Sequence, residues 1–131
     1  MCIRDSIETN GSDNIFTFTS DADGASVAQG DDHIQFSTAD LIGVTGYAAY
    51  TGSGTTITLS NSSKVEYVAG AGAVANEAGA TLAFNSTNGQ LSYDADGTGS
   101  SATAIVVATF YSDSGSTVIT DLLVGDIAII A

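Results

Sequence analysis

The chain has 131 residues, room for one domain, and 44% of them are hydrophobic, enough to bury a core. Fifteen acidic residues against two basic ones give a formal charge of -13, a balance that argues against a nucleic-acid partner or an anionic membrane surface. Such a surplus also makes the compact state repel itself, which invites a cation to the acidic loops. Proline is absent and glycine numbers 15, a mixture suited to short strands joined by glycine turns.

The first six residues, Met1-Cys2-Ile3-Arg4-Asp5-Ser6, resemble the translation of a sequencing adapter and are set apart from fold reasoning. Residues 7–131 then read as a single domain, a fragment of a larger protein. Setting the hexapeptide apart removes the sole cysteine, so neither a disulfide framework nor a thiolate metal site is expected. The charge stays at -13, because Arg4 and Asp5 cancel. No stretch is long and apolar enough to span a bilayer, and no signal peptide is visible.

Apolar residues alternate at period two throughout, between clusters of Gly, Asn, Asp and Ser, and this predicts an all-β chain. The predicted strands in order are 15–19, 33–36, 55–59, 64–68, 81–84, 90–93, 104–110, 116–120 and 126–130. Between the second and third, Ser37-Thr38-Ala39-Asp40-Leu41-Ile42 is a candidate for one capped helical turn, which Gly43 and Gly46 would stop. The Ala- and Gly-rich stretch 69–80 reads as an irregular loop skirting the core. Leu82/Phe84 and Leu91/Tyr93, joined across Asn85-Ser86-Thr87-Asn88-Gly89, carry the strongest hairpin signal, since Asn-Gly supplies the positive φ that such turns need. Residues 104–110 are apolar on both faces, as a strand covered on both sides would be.

The acidic loops are the candidate chemistry. Asp21-Ala22-Asp23-Gly24 and Asp94-Ala95-Asp96-Gly97 repeat the same four residues, placing oxygens at alternate positions before a glycine, as a loop that wraps a hard cation such as calcium does. Asp and Gly also favour turns for their own reasons, and both readings stand. The helix-loop-helix calcium motif is not met, because its twelfth position, counted from Asp94, holds Ile105 rather than Glu. A second pattern, Gly-x-Asp-x-apolar, occurs at Gly11-Ser12-Asp13-Asn14-Ile15 and Gly30-Asp31-Asp32-His33-Ile34, adding Asp13 and Asp32 as candidate ligands; it matches the latter half of the nine-residue calcium-binding β-roll repeat.

Catalytic signals are sparse. His33 is the single histidine, no Gly-x-Ser-x-Gly elbow occurs, and no glycine-rich loop ends in Lys. The paired carboxylates lie in Gly-flanked turns and tryptophan is absent, which disfavours glycoside hydrolysis. The expectation is a chain with no catalytic activity of its own.

Taken in order, Val65-Glu66-Tyr67-Val68-Ala69-Gly70-Ala71-Gly72, then 83–99 with its Asn-Gly hairpin and Tyr93-Asp94-Ala95-Asp96-Gly97 loop, then Ala104–Phe110, resemble the C-terminal region of repeats-in-toxin proteins and the serralysin C-terminal domain. Asp32-His33-Ile34-Gln35-Phe36-Ser37 is similar to a strand that follows the repeats in that family, and Gly125-Asp126-Ile127-Ala128-Ile129-Ile130-Ala131 to its acidic-then-apolar terminus. The resemblance implies a β-sandwich or β-roll-like cap of many short strands, secreted or held at the bacterial cell surface. It implies calcium as cofactor and a type I secretion complex as partner, recognising a terminal signal that includes Asp126, Ile127, Ile129 and Ile130. Complete nine-residue repeats are missing from the chain, so a regular β-roll stack would lie mainly upstream. The alternative from a different class is an extracellular adhesion or matrix module that binds a surface partner. Neither reading sets an oligomeric state.

Overall fold

The computed structural model describes residues 2–3, 14–17, 33–38, 41, 43–48, 55–111, 122 and 127–130. Nine strands occur among them and no α-helix: β1 (Cys2–Ile3), β2 (Asn14–Thr17), β3 (His33–Ser37), β4 (Thr56–Thr58), β5 (Lys64–Gly70), β6 (Thr81–Asn85), β7 (Gln90–Asp94), β8 (Ile105–Tyr111) and β9 (Ile127–Ile130). The fold is therefore all-β, as the alternation predicts. The predicted strand at 116–120 lies outside the described residues. Of the candidate helical turn at 37–42, only residues 37, 38 and 41 are described: Ser37 ends β3, Leu41 N donates to Thr38 O at 3.4 Å and Val44 N to Leu41 O at 3.0 Å.

The strands form two sheets, one ordered β1-β3-β9 and the other β2-β8-β7-β6-β5-β4. The smaller is parallel throughout. In the larger, β4/β5, β6/β7 and β7/β8 are antiparallel, while β5/β6 and β2/β8 are parallel. A parallel pair cannot be closed by a tight turn. Residues 71–80 accordingly leave the end of β5 and cross back to the start of β6, which is why this Ala/Gly stretch is irregular.

Register decides which side chains meet. Tyr67 lies beside Leu82, Leu82 beside Tyr93, Phe84 beside Leu91, and Leu91 beside Ala108. Period-two alternation sends these residues to one face, where all are buried. Between β7 and β8 the ladder shifts at Leu91/Ser92, leaving Val107 as an extra residue opposite that step. The bulge breaks the alternation by placing the successive residues Val107 and Ala108 both in the core, and Thr109 and Phe110 after them are buried as well. A continuous apolar run thus reflects a bulge in a mixed sheet as much as cover on both faces.

One apolar cluster joins the two sheets: Phe36, Ile127 and Ile129 from the smaller, Val65, Tyr67, Leu82, Phe84 and Phe110 from the larger, and Leu41, Val44 and Leu122 from connections. The Phe84 and Phe110 rings meet at 6.3 Å between centroids and 59° between planes, within the tilted geometry aromatic pairs favour. Tyr67 places its hydroxyl in this interior and donates to the Leu122 carbonyl, so its polar tip is satisfied.

A short strap, residues 43–48, closes one side. Ala48 N donates to Ile129 O at 2.8 Å and Ile129 N to Ala48 O at 2.9 Å, an antiparallel bridge onto β9. On the strap's other flank Ser60 N donates to Tyr47 O at 2.8 Å, and Asn61 Nδ2 to Thr45 Oγ1 at 3.0 Å. The strap so links the terminal strand of one sheet to the turn that follows β4 in the other.

Phe84 is fully buried at the centre of this cluster. Phe84→Ala is expected to cost about 3–5 kcal/mol of unfolding free energy in urea titration, whereas Val74→Ser, at a side chain 71% exposed, should stay within about 0.5 kcal/mol.

Candidate functional site

Of the acidic candidates, Asp94 and Asp96 fall within the described residues; Asp13, Asp21, Asp23, Asp32 and Asp126 lie outside them. Asp94 is the last residue of β7. Its Oδ1 accepts the N–H groups of Asp96 at 3.2 Å and Gly97 at 3.1 Å, the side-chain-to-backbone turn that aspartate forms readily. One carboxylate oxygen thereby bends the chain by itself.

The bend is then fastened to the crossover. Gly79 N and Gly99 N both donate to Asp96 O, at 3.2 and 3.0 Å, and Thr98 N donates to Glu77 O at 3.0 Å. Ala78 and Gly97 form an antiparallel bridge. Gly97 holds φ +62° and is buried against Glu77: a Cβ built there would stand 2.1 Å from Glu77 O and 2.6 Å from Gly79 O. Only glycine fits, for both reasons. Glu77 is the residue sequence reasoning overlooked, because nothing in the 69–80 composition distinguishes the position whose carbonyl receives the acidic loop.

Asp96 points the other way along the loop. Its Oδ2 accepts Ser101 N at 2.7 Å, while its Oδ1 is buried without a hydrogen-bond partner. The Ser101 N–H is the main cause that holds the Asp96 carboxyl below the usual carboxylate range; burial of the group opposes it. The neighbouring Tyr93 phenol is pushed up to about 12, first by burial and then by the Asp94 charge.

For calcium, which takes six to eight oxygens, this loop is a poor cage. Two carboxylates are present; Asp94 Oδ1, Asp96 Oδ2 and the Asp96 carbonyl already close the turn. Asp96 Oδ1 is the buried acceptor left over. Among the described residues no group of three or more His, Cys, Asp or Glu side chains is placed to share an ion. The geometry accounts for Asp94-Ala95-Asp96-Gly97 as turn chemistry, with Asp96 Oδ1 the buried oxygen left without a partner.

The crossover leaves a hollow on each flank of the outer sheet face. One, of about 240 Å³, is lined by Thr81, Ala83, Ser92 and Asp94 beneath Val74 and Ala75. The other, of about 260 Å³, is lined by Thr55, Glu66, Val68 and Glu77; Glu66 Oε2 accepts the Thr56 hydroxyl at 2.9 Å. In the first, the Thr81 hydroxyl donates to Gly79 O at 3.0 Å and the Ser92 hydroxyl to Ala83 O at 3.3 Å.

The terminal candidates Ile127, Ile129 and Ile130 lie in strand β9. Ile127, Ala128 and Ile129 are 0–2% exposed, and β9 as a whole, with Ile130 at its end, pairs in parallel with β3, Ile34 beside Ile127 and Phe36 beside Ile129. Comparison with models of known protein families, with curated proteins and with solved structures gives no match to this chain.

Gly97→Ala is expected to destabilise the domain by about 2 kcal/mol or more, from a strained left-handed residue and a backbone clash together. Thermal unfolding checks it: a melting temperature equal to that of the unsubstituted chain would contradict the fit described for Gly97.

Proposed function

We propose that the chain is the non-catalytic C-terminal export and folding module of a secreted protein of the repeats-in-toxin type. The observation that carries this reading is the order of features from Val65 to Ala131: strand, Ala/Gly crossover, Asn-Gly hairpin, Asp-x-Asp-Gly loop, apolar strand and acidic-then-apolar terminus. The all-β fold is consistent with such a module, and the terminus lies where export and folding compete for the same residues. In the folded state β9 is sealed between β3 and the strap, so a type I secretion complex reads Asp126, Ile127, Ile129 and Ile130 from the unfolded chain.

Charge gives this a physical basis. With -13 on the chain, folding is opposed by self-repulsion wherever divalent cations are scarce and relieved where they are plentiful. Weak extracellular-type calcium sites have dissociation constants of about 0.1–1 mM, and ligand at ten times that concentration adds about 1.4 kcal/mol per site. Asp96 Oδ1 is the one described atom that supports a site of this kind. An adhesion role would use the outer sheet face, where the two hollows flank the crossover.

Two experiments test the proposal. In cells carrying a type I exporter, deletion of residues 124–131 should abolish export with expression intact, while Phe84→Ala, which weakens the fold but keeps the terminus, should still be exported; secretion of the deletion at the full level would refute the terminal signal. For calcium, circular dichroism should show folding promoted by millimolar calcium and reversed by chelator, and an identical folded spectrum in both conditions would remove the calcium dependence.

A further inference from the structure

Independently of any export role, we propose that Asn88–Gly89 is a latent self-modification site, held unreactive by the hairpin turn and released whenever β6 and β7 separate. In an Asn-Gly pair the glycine amide nitrogen can attack the asparagine side-chain Cγ, because glycine has no Cβ to hinder the approach. The Gly89 N–Cγ bond forms and the Cγ–Nδ2 bond breaks. The side-chain nitrogen leaves as ammonia, taking the proton that Gly89 N gives up. Water then opens the resulting five-membered imide at either carbonyl, giving aspartate or isoaspartate; water is the only co-reactant.

The folded turn opposes the first step at both reacting atoms. Gly89 N donates its proton to Asn85 O at 2.9 Å, and Gly89 is buried. The Asn88 carboxamide is tied at both ends to Gln90: its Oδ1 accepts Gln90 N at 3.1 Å and its Nδ2 donates to Gln90 Oε1 at 3.1 Å. The attacking nitrogen is thus kept protonated and its target group is held on the next residue. The arrangement is locked from outside by Asn85, whose Oδ1 accepts Thr87 N at 2.9 Å and Gly72 N at 3.0 Å. Gly89 alone of the pair takes a left-handed conformation, at φ +69°.

Modification would be hard to reverse by refolding. Isoaspartate routes the main chain through the side-chain Cβ, adding an atom between Asn85 and Gln90, the pair that closes the hairpin. The register that sets Phe84 beside Leu91 and Leu82 beside Tyr93 then no longer closes without strain. A chain that dwells unfolded is permanently marked at residue 88, and one that folds promptly is not.

The test uses the full chain, incubated in mildly alkaline buffer either folded or in urea, with isoaspartate at residue 88 quantified by peptide mass spectrometry. Asn10–Gly11, the other Asn-Gly pair in the sequence, serves as the reference in urea, where the two should react alike. Folding should slow the reaction at Asn88 by about tenfold or more, as closed backbone hydrogen bonds slow solvent-dependent chemistry. Asn85→Ala, which removes the lock but keeps the Asn85 carbonyl, should raise the folded rate towards the urea rate and leave the urea rate unchanged. Equal rates at Asn88 in the folded chain and in urea would overturn the proposal. Should Asn85→Ala not fold, hydrogen exchange of the Gly89 amide in the unsubstituted folded chain decides in its place: slow exchange supports the protection, and exchange at the unfolded rate overturns it.

Discussion

The parallel pairing of β5 with β6 is the constraint from which the architecture of this domain follows. Two neighbouring strands running the same way need a connection that returns to the starting end, and here residues 71–80 supply it across the outer face of the six-stranded sheet. That crossover creates the two hollows on its flanks. It must itself be fastened, since an Ala/Gly segment has few side chains with which to pack. The fastening is made by backbone groups: Glu77 O, Ala78 and Gly79 N meet Thr98, Gly97 and Asp96 O. The Asp94 turn aims those groups, and the absence of a side chain at Gly97 admits them.

An acidic residue in this setting is a structural part before it is a ligand. Asp94 spends an oxygen on two backbone N–H groups and Asp96 spends one on Ser101. Charge-assisted bonds of this kind are stronger than those between neutral groups, which is sufficient reason for carboxylates at both positions. The exception is Asp96 Oδ1, buried and unpartnered. Buried acceptors of that sort are few in native structures and invite an ion or a water.

The terminal strand belongs to the core as fully as the hairpin does. Ile127 and Ile129 pack in the same cluster as Phe84 and Phe110, and the strap covers the edge of β9 that β3 leaves open. Residues distant in sequence, 44–48 and 127–130, thereby stabilise one another.

Much of this was legible in the chain itself. Alternation marked the strands from β2 to β9 to within a residue or two, and Asn88-Gly89 marked the hairpin, because period-two burial and the glycine requirement of a turn are local effects. At Asp94–Gly97 the sequence left a turn and a cation-wrapping loop both open, since the same local pattern serves either. What the sequence could not decide was direction and partnership. Val65-Glu66-Tyr67-Val68 alternates identically whether its neighbour runs parallel or antiparallel, so the crossover, and the task it gives Glu77 and Gly97, followed only from tertiary pairing. The run 104–110 read as a strand covered on both faces, yet a bulge at Val107 accounts for part of its burial. The pairing of Cys2–Ile3 with β3 carried no sequence signal at all. The carboxylates show the division plainly: composition determined that there are 15, but only the folded backbone decided that Asp94 Oδ1 and Asp96 Oδ2 close a turn while Asp96 Oδ1 is buried without a partner.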